Sequence, residues 1–343
     1  MSEDVSHVDA LPKGKDFMEV NGLIVRGEAE GMEVCLEAML WHFGGGRRGQ
    51  WRVDEAVAVQ TNFHMAPKGQ AKVGDNEFIS NRVDPTEWPG TLEIEQKPDR
   101  NIWRAGNRQW ISRPPYWQVK GEHMGVDLDL TLGGMGHASR VYGPWETLAE
   151  TERAGYENCC WAEGTITVKG RKYTLENGWG DHGVLTFGEG YQQVEGMRPG
   201  YYFVWAWHRK MQIFFWVQPG SGIGSGFAYT DDGREFKFGP GQIRVSPLER
   251  WTDPVTSMDV PVRWHVNMNA PGMIADFVID GQGRGIFCLP TNQGITARYS
   301  FSARANGQAF FATGENIELK DMTSFIQWGK SVLPLPGAAP SVD

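Results

Sequence analysis

The sequence lacks the features that mark membrane, nucleic-acid-binding or secreted proteins. No apolar run reaches about 18 residues, so no segment is predicted to span a membrane. Lys and Arg number 33 against 42 Asp and Glu, a net charge of −9, and no basic stripe could serve a nucleic acid. Residues 1–16 are polar and acidic, without the basic and apolar regions of a signal peptide. We therefore predict a cytoplasmic protein that binds no nucleic acid.

Sulfur and metal-binding motifs are scarce as well. The four cysteines show no CxxC spacing, so we expect reduced thiols rather than a disulfide framework or a zinc site: Cys35, Cys159, Cys160 and Cys288. The eight histidines show neither HxH nor HExxH spacing, and no GxSxG motif is present. The glycine-rich segment 219–226 lacks the strand–helix context of a phosphate-binding loop and is predicted to be a plain loop. The sequence thus predicts neither a metal nor a cofactor.

Glycine and tryptophan, in contrast, are abundant. The chain of 343 residues has 44 Gly and 15 Trp, and helical periodicity is rare. The segment Gly31–Phe43 has an ambiguous pattern, which we interpret as a strand because it runs into three glycines. Val126, Leu128, Leu130 and Leu132 alternate with polar residues, as in a strand with one buried face. These features favour an all-β protein with many turns.

Four hairpins are predicted from strand-like runs joined by short turns. They are Thr165–Leu175 about Gly170, Tyr201–Val217 closed by 208–210, Phe227–Phe238 with an Asp-Gly turn, and 308–319. Short strands at this spacing are typical of a sandwich or a barrel. Barrels of about eight strands can hold one small ligand.

An Asp-His pair lies in the sequence Gly178-Trp179-Gly180-Asp181-His182-Gly183. The flanking glycines allow a sharp turn or a close approach to a ligand. An acid beside an imidazole is suited to proton transfer. In a regular strand, however, neighbouring side chains point to opposite faces, so only one of the two would face a barrel interior.

Other segments accompany this motif in a characteristic order. Trp161-Ala162-Glu163-Gly164 precedes it, and the strand 127–132 lies farther upstream. Downstream come Leu248-Glu249-Arg250-Trp251 and Val260-Pro261-Val262-Arg263-Trp264. Together, over about residues 120–290, they resemble the lipocalin-like hydratase and cyclase family, which includes carotenoid hydratases, kievitone hydratase-type proteins and fungal Diels–Alderases. One departure is that Gly183-Val184-Leu185 follows the Asp-His pair, where the family usually has Trp-Gly.

The resemblance implies two lipocalin-like (calycin-type) antiparallel β-barrels side by side, with a hydrophobic ligand site in or between them. We accordingly expect an N-terminal barrel over 1–188, a C-terminal barrel over 189–332 and a Pro- and Ala-rich tail over 333–343. Edge strands of such barrels leave pairing into a homo-oligomer open.

Several aromatic and polar residues are candidates for a ligand pocket. On the strand 201–208, Tyr201, Phe203, Trp205 and Trp207 share one face, which suits either core packing or the wall of an aromatic or isoprenoid site. Further candidates are Trp161, Glu163, Trp179, His265 and Asn267. The structural alternative is a solvated strand position for Glu163 and a satisfied interior pair for His265 and Asn267.

The resemblance implies a cofactor-independent lyase that hydrates or dehydrates a hydrophobic aromatic or isoprenoid molecule. Asp181 would act as acid and base with the raised pKa of a carboxyl in an apolar barrel, and His182 would orient it. For a phenolic substrate, the same groups would form a quinone methide and eliminate water or formaldehyde. Two alternatives stay open: a carrier or sensor without chemistry, and a pericyclic cyclase that depends on the shape of its pocket.

Overall fold

The structure is a computed structural model that describes residues 4–48, 51–67, 78–80, 91–136, 138–190, 200–208, 210–254, 256–291, 294–307, 309–312, 315–318 and 322–333. Nearly all of its regular structure is β. The strands form two curled antiparallel sheets side by side, each a half-barrel, which confirms the predicted fold class. The predicted tail lies, from residue 334 onward, outside the described residues. The predicted domain division at residue 188 stays a prediction.

The first sheet contains β1 (Phe17–Ala29), β2 (Met32–Arg48), β3 (Trp51–Pro67), β4 (Phe78–Ser80), β5 (Glu93–Gln96), β6 (Asn101–Ala105), β7 (Arg108–Arg113), β8 (Tyr116–His123), β9 (Val126–Gly134), β10 (Ser139–Gly143), β11 (Arg153–Val168) and β12 (Arg171–Gly188). Its order is β4-β3-β2-β1-β12-β11-β9-β8-β7-β6-β5, and β10 pairs with β11. A short helical turn at Val8–Ala10 precedes β1. A second turn at Trp145–Thr147, followed by the one-turn helix α1 (Leu148–Thr151), precedes β11. The pairing of β1 with β12 brings the two ends of this sheet's sequence together at its centre.

The second sheet contains β13 (Tyr201–His208), β14 (Met211–Val217), β15 (Gly224–Thr230), β16 (Glu235–Phe238), β17 (Ile243–Thr252), β18 (Asp259–Ala270), β19 (Met273–Thr291), β20 (Gly294–Gly307), β21 (Ala309–Ala312), β22 (Glu315–Glu318) and β23 (Met322–Leu333). Its order is β16-β15-β14-β13-β23-β20-β19-β18-β17. Strand β21 pairs with β19 and β22. Strands from the start and the end of this segment again meet in the middle of the sheet.

Local sequence patterns account for most of these strands. The alternation in β9 is confirmed, with Val126 and Leu130 fully buried and Asp127 exposed. The hairpin between β11 and β12 turns at Lys169 and Gly170, both with positive φ, which is the backbone that such tight turns require. The segment 31–43 is a strand, as predicted. His208 belongs to β13 rather than to a turn, because it pairs with Met211.

The three largest clusters of buried side chains stabilise this arrangement. One fills the first sheet, around Trp103 and Leu130, and one fills the second, around Trp264 and Phe301. The third joins the two sheets and includes Trp41 of β2. Burial of apolar surface contributes about 25 cal/mol per Å². A large part of the aromatic content therefore stabilises the contact between the sheets.

Buried polar groups also cross between the sheets. The Arg26 guanidinium donates to the carbonyl oxygens of Ala303 at 3.3 Å and Ser324 at 3.0 Å. The Ser300 hydroxyl donates to Glu37 Oε2 at 2.7 Å. Directional hydrogen bonds of this kind fix the relative position of two surfaces more narrowly than apolar contact does.

The described part of the chain also bears on the expected absences. No helix in it is long and apolar enough to cross a membrane. Three of the cysteines, Cys35, Cys159 and Cys160, are free and buried. No cluster of three or more His, Cys, Asp or Glu suited to a metal ion occurs among the described residues.

Candidate functional site

The Asp-His motif lies inside strand β12 and does not form a turn. Asp181 pairs with Ile24 of β1, and His182 pairs with Leu23. Ile24 belongs to the cluster between the sheets, whereas Leu23 belongs to the interior of the first sheet. Asp181 and His182 therefore point in opposite directions, as the alternation of strand side chains requires.

A cavity on the Asp181 side opens between the two sheets. The space that the centre of a water-sized sphere can occupy in it is about 60 Å³, and all of its empty space, counted with the solvent at its mouth, is about 730 Å³. Its wall is mainly apolar, and both sheets contribute to it: Met18, Val20, Ile24, Met39, Trp41, Leu185 and Phe187 from the first, and Tyr201, Phe203 and Trp216 from the second. Such a concave, apolar space with few polar groups is typical of small-molecule sites.

Two carboxyl groups lie together in the wall of this cavity. Glu157 of β11 pairs across the ladder with Gly183, two positions from Asp181 on the next strand and therefore on the same face. Glu157 and Asp181 are hydrogen-bonded to each other. A Cβ at residue 183 would stand 2.0 Å from Glu157 Oε2, so only glycine leaves space for this carboxyl. Gly183, which departs from the family pattern, therefore makes the carboxyl pair sterically feasible.

Burial determines the protonation of this pair. Asp181 and Glu157 are each only 3% exposed. Burial raises the pKa of Glu157 from 4.5 to about 8. Burial, followed by the adjacent Glu157, raises the pKa of Asp181 well above its usual 3.8. The pair therefore holds at least one proton at neutral pH, since two adjacent carboxylates in an apolar wall repel each other.

The free oxygen of Asp181 is available to a ligand. Asp181 Oδ1 is buried and accepts no hydrogen bond from any described residue, although its side chain lines the cavity. Cys159 pairs with Asp181 across the ladder, and burial raises the pKa of its thiol well above 9.0. This thiol stays protonated, so it has little nucleophilic character. The carboxyl pair is the reactive group on this wall.

His182 belongs to a satisfied network on the other face of β12. Its Nδ1 lies 3.2 Å from the Tyr156 hydroxyl and its Nε2 lies 3.1 Å from Asn21 Oδ1. Its ring stacks on Trp117 with centroids 4.8 Å apart. The Tyr156 hydroxyl also contacts the Asp4 carboxylate, and it donates its single proton either to that carboxylate or to His182 Nδ1. Burial lowers the pKa of His182 to about 3, so the imidazole is neutral.

The second sheet supplies nitrogen donors to the cavity wall. Arg298 of β20 lies with its guanidinium carbon 4.5 Å from the Trp41 ring centroid and 5.4 Å from that of Tyr201. Gln327 of β23 and Trp216 of β14 also line the cavity. The cavity thus has acidic groups on one wall and a cation on the other.

The aromatic candidates divide between the cavity and the packing around it. Tyr201 lines the cavity. Trp205 and Trp207 lie on the same face of β13 but are fully buried in the cluster between the sheets, outside the cavity lining. Trp179 is half-buried at a separate hollow beside His208. Of the predicted aromatic face, Tyr201 and Phe203 line the cavity, whereas Trp205 and Trp207 pack between the sheets.

The remaining candidates lie away from the cavity. Trp161 is half-buried and contacts Tyr116 edge-on at 6.3 Å, on a face of β11 where Glu163 is exposed. His265 Nε2 lies 2.7 Å from Asp276 Oδ1, and Asn267 donates to Asp276 Oδ2 at 3.1 Å. This is a satisfied surface group on the second sheet. None of these four residues, which we predicted to contact a ligand, lines the cavity between the sheets.

Besides Asp181, the cavity has two charged residues, Glu157 and Arg298, that were not predicted from the sequence. Glu157 precedes Asn158-Cys159-Cys160 without any motif around it, and Arg298 lies in an ordinary alternating strand. Counting along the ladder from the Lys169–Gly170 turn would place Glu157 opposite His182. A register shift between Ala162 and Gly164 moves it opposite Gly183, so the sequence carries no simple signal for this carboxyl. No local signal exists for Arg298 either, because its neighbours in the cavity belong to distant strands.

Comparison with known proteins supports the fold and leaves the activity open. The sequence matches no known family model and no curated protein. A solved structure of a protein assigned as AttH from Nitrosomonas europaea shares the fold, with a TM-score of 0.55, 11% identity, and 92% of each chain covered. CghA, solved both free and with Sch210972, has a TM-score of 0.55 and 12% identity, covering 94% of this chain and 89% of its own.

The chain therefore shares the fold of these solved structures, two curled antiparallel half-barrel sheets side by side. At this level of identity the comparisons show the fold alone, and function has to be argued from the site.

Proposed function

We propose that this protein is a cofactor-independent lyase of the hydratase type, acting on a hydrophobic small molecule held between the two sheets. The carboxyl pair formed by Glu157 and Asp181, buried in the wall of an apolar cavity, carries this proposal. A carboxylic acid that stays protonated at neutral pH is a general acid, and its partner can accept the proton back. The apolar, aromatic wall suits an aromatic or isoprenoid ligand.

The proposed reaction is the addition of water across a C=C bond. The carboxyl pair transfers its proton to one alkene carbon, and the π electrons form the new C–H bond. Water then attacks the cationic carbon and returns one proton to the carboxylate, so the pair is restored. The surrounding aromatic rings stabilise the positive charge through their faces. Dehydration is the reverse sequence, with the same proton moving in the opposite direction.

The structure changes the role that we assign to His182. Its imidazole is neutral, faces away from the cavity and hydrogen-bonds to Tyr156 and Asn21. It acts as a positioning residue that holds β12 in place rather than as a proton-transfer partner of Asp181. The likeness to CghA, which has been solved with Sch210972, adds support by fold-level analogy that this architecture can hold a ligand.

The central test concerns the protonated carboxyl pair. Wild-type protein, Asp181→Asn and Glu157→Gln are incubated with phenolic and isoprenoid alkenes, such as isoeugenol and myrcene, and products are followed by mass spectrometry. We expect Asp181→Asn to lower turnover by about a hundredfold or more, the usual scale for a general acid. Infrared spectra at neutral pH should show a protonated carboxyl C=O stretch that both variants change. If turnover of a substrate survives Asp181→Asn within a few-fold, the acid–base assignment is wrong.

The same experiment separates the other functions. A ligand that binds tightly and returns unchanged in the presence of excess protein indicates a carrier or sensor. Rearrangement of a ligand that is insensitive to Asp181→Asn but sensitive to changes in Tyr201 or Phe203 indicates a pericyclic cyclase. Loss of an oxygen- or carbon-containing fragment from a phenolic ligand indicates elimination through a quinone methide.

A further inference from the structure

The cavity wall contributed by the second sheet has a polar composition that hydration chemistry does not use. Arg298, Gln327 and Trp216 all present nitrogen donors there, whereas the carboxyl groups lie on the wall of the first sheet. The two walls therefore differ in charge. We propose that the ligand carries an anionic oxygen group, such as a carboxylate, enolate or phenolate, and that Arg298 and Gln327 bind this group. This inference rests on the proposed function.

Arg298 is held in a rigid aromatic clamp. Its guanidinium lies against Trp41 of the first sheet and Tyr201 of the second. Trp41 is fixed by a hydrogen bond from its Nε1 to Gln60 Oε1 at 2.9 Å. Tyr201 lies over Gly329, where a Cβ would come within 2.3 Å of its ring. A guanidinium stacked on aromatic faces keeps its N–H groups in the ring plane for a planar anion.

Two uncharged side-chain N–H groups on the same wall, those of Gln327 and Trp216, lack a hydrogen-bond acceptor among the described residues. Gln327 Nε2 and Trp216 Nε1 are buried and have no hydrogen-bond partner among the described residues. Gln327 is 4% exposed and Trp216 is 7% exposed. Buried N–H groups are almost always paired with protein or with a bound molecule. A ligand oxygen at this wall would satisfy these donors in a way that a hydrocarbon would not.

The nearby carboxyl of Glu37 does not remove the preference of Arg298 for an anionic ligand group. Its carboxyl accepts hydrogen bonds from Asn62 and Ser300. Burial raises the pKa of Glu37 despite its favourable interaction with Arg298, and this favours the uncharged form. The arrangement orients a ligand, with its anionic group against Arg298 and its apolar reactive part against Asp181.

Two fluorescent probes of matched shape test this inference. Anilinonaphthalene sulfonate is anionic, and its parent phenylnaphthylamine is uncharged. Their dissociation constants are measured by titration with wild-type protein, Arg298→Gln and Arg298→Lys. We expect Arg298→Gln to weaken binding of the sulfonate about tenfold or more, the scale of a charge-assisted hydrogen bond, and to change binding of the neutral probe less than about twofold. Arg298→Lys should give an intermediate loss, because an ammonium lacks the planar fork.

Arg244→Gln is the matched control, since Arg244 is exposed on β17 and its removal changes the net charge equally. The inference is overturned if Arg298→Gln weakens both probes alike or neither, or if Arg244→Gln has the same effect. Failure of both probes to bind the wild-type protein overturns the hydrophobic cavity and this inference together, and failure of the sulfonate alone overturns this inference. If Arg298→Gln leaves the binding of both probes unchanged while Asp181→Asn abolishes turnover, the anion site is rejected and the acid–base assignment stands. If the probes behave as expected while Asp181→Asn stays active, only the acid–base assignment fails.

Discussion

The two faces of strand β12 present neighbouring residues to very different surroundings. On one face, Asp181 meets Glu157 in an apolar cavity and leaves one oxygen without a protein partner among the described residues. On the other, His182 is stacked on Trp117 and hydrogen-bonded through both ring nitrogens. Both are buried, yet burial favours the protonated form of the acid and the deprotonated form of the base. Near neutral pH the imidazole is therefore uncharged, and the carboxyl pair of Asp181 and Glu157 holds at least one proton.

This contrast separates reactivity from stability within one dipeptide. An unsatisfied, protonated acid on a cavity wall is positioned to react with a ligand. A fully bonded imidazole in a closed interior contributes to folding instead. Two adjacent titratable residues therefore need not form one catalytic unit.

The largest effect is expected from Gly183→Ala, which disrupts the carboxyl pair on the cavity face of β12. A Cβ at this position would stand 2.0 Å from Glu157 Oε2, so the Glu157 carboxyl must leave Asp181. We expect turnover to fall about a hundredfold, as for loss of a general acid, and stability to fall by about 1–3 kcal/mol from overpacking. Thermal or urea unfolding measures the second effect. On a Glu157→Ala background the same change should cost much less, and equal costs on both backgrounds would contradict the steric explanation.

The next prediction concerns the opposite face. His182→Phe retains an aromatic ring against Trp117 but removes the hydrogen bonds to Tyr156 and Asn21. We expect a loss of about 1–3 kcal/mol in unfolding free energy, because buried polar groups lose partners. Turnover of the folded variant should stay within a few-fold of wild type, measured below its unfolding temperature. A variant that is stable but inactive would return His182 to the catalytic machinery.

A smaller effect should appear in the pH dependence of stability. The folded-state pKa of Glu157 is raised from 4.5 to about 8, so its stabilising contribution is complete below pH 4.5 and is lost as pH rises toward 8. The folded-state pKa of His182 is lowered from 6.5 to about 3, so its contribution is present above pH 6.5 and is lost as pH falls toward 3. Each proton changes stability by at most about 1.4 kcal/mol per pH unit.

The two slopes oppose each other between pH 4.5 and 6.5, so they are best measured outside that range. Urea unfolding from pH 6.5 to 8 should show falling stability, and Glu157→Gln should make this fall less steep, with the raised pKa of Asp181 accounting for the slope that remains. Unfolding below pH 4.5 should show an acid limb that His182→Phe flattens. An unchanged alkaline limb in Glu157→Gln would show that this carboxyl ionises normally in the folded protein.

The smallest effect is expected at Glu163, which lies exposed on β11 outside the cavity. Glu163→Gln should change unfolding free energy by less than about 0.5 kcal/mol and leave turnover unchanged, as for most exposed substitutions. The measurement is a thermal shift together with the alkene assay. A marked loss of activity would mean that the ligand site extends around the edge of the sheet.

Much of the fold was predictable because local rules decide it. The alternation at Val126–Leu132 and the turn at Lys169–Gly170 depend only on side-chain periodicity and on backbone conformations that glycine allows. The site was predictable only in part. Asp181 was named from its motif, but its partner Glu157 was not, because the two meet through the register of two strands.

The aromatic face of β13 shows the same limit. Sequence placed Tyr201, Trp205 and Trp207 on one side, and the structure confirms that alternation. Which of them touches a ligand depends on the strands that cover each position. Trp205 stacks on Phe214 of β14 with centroids 4.1 Å apart, so it packs against its neighbours instead of lining the cavity.

Local sequence rules were enough to predict an all-β chain, the positions of several hairpin turns, and the opposite directions of Asp181 and His182. These features follow from steric rules that act over a few residues. The packing of the two sheets, in contrast, places the Asp181 face beside a cavity, brings Glu157 to Asp181 and sets Arg298 on the opposite wall. Those contacts join strands far apart in the chain, and two sheets must pack together before the cavity and its low polarity exist.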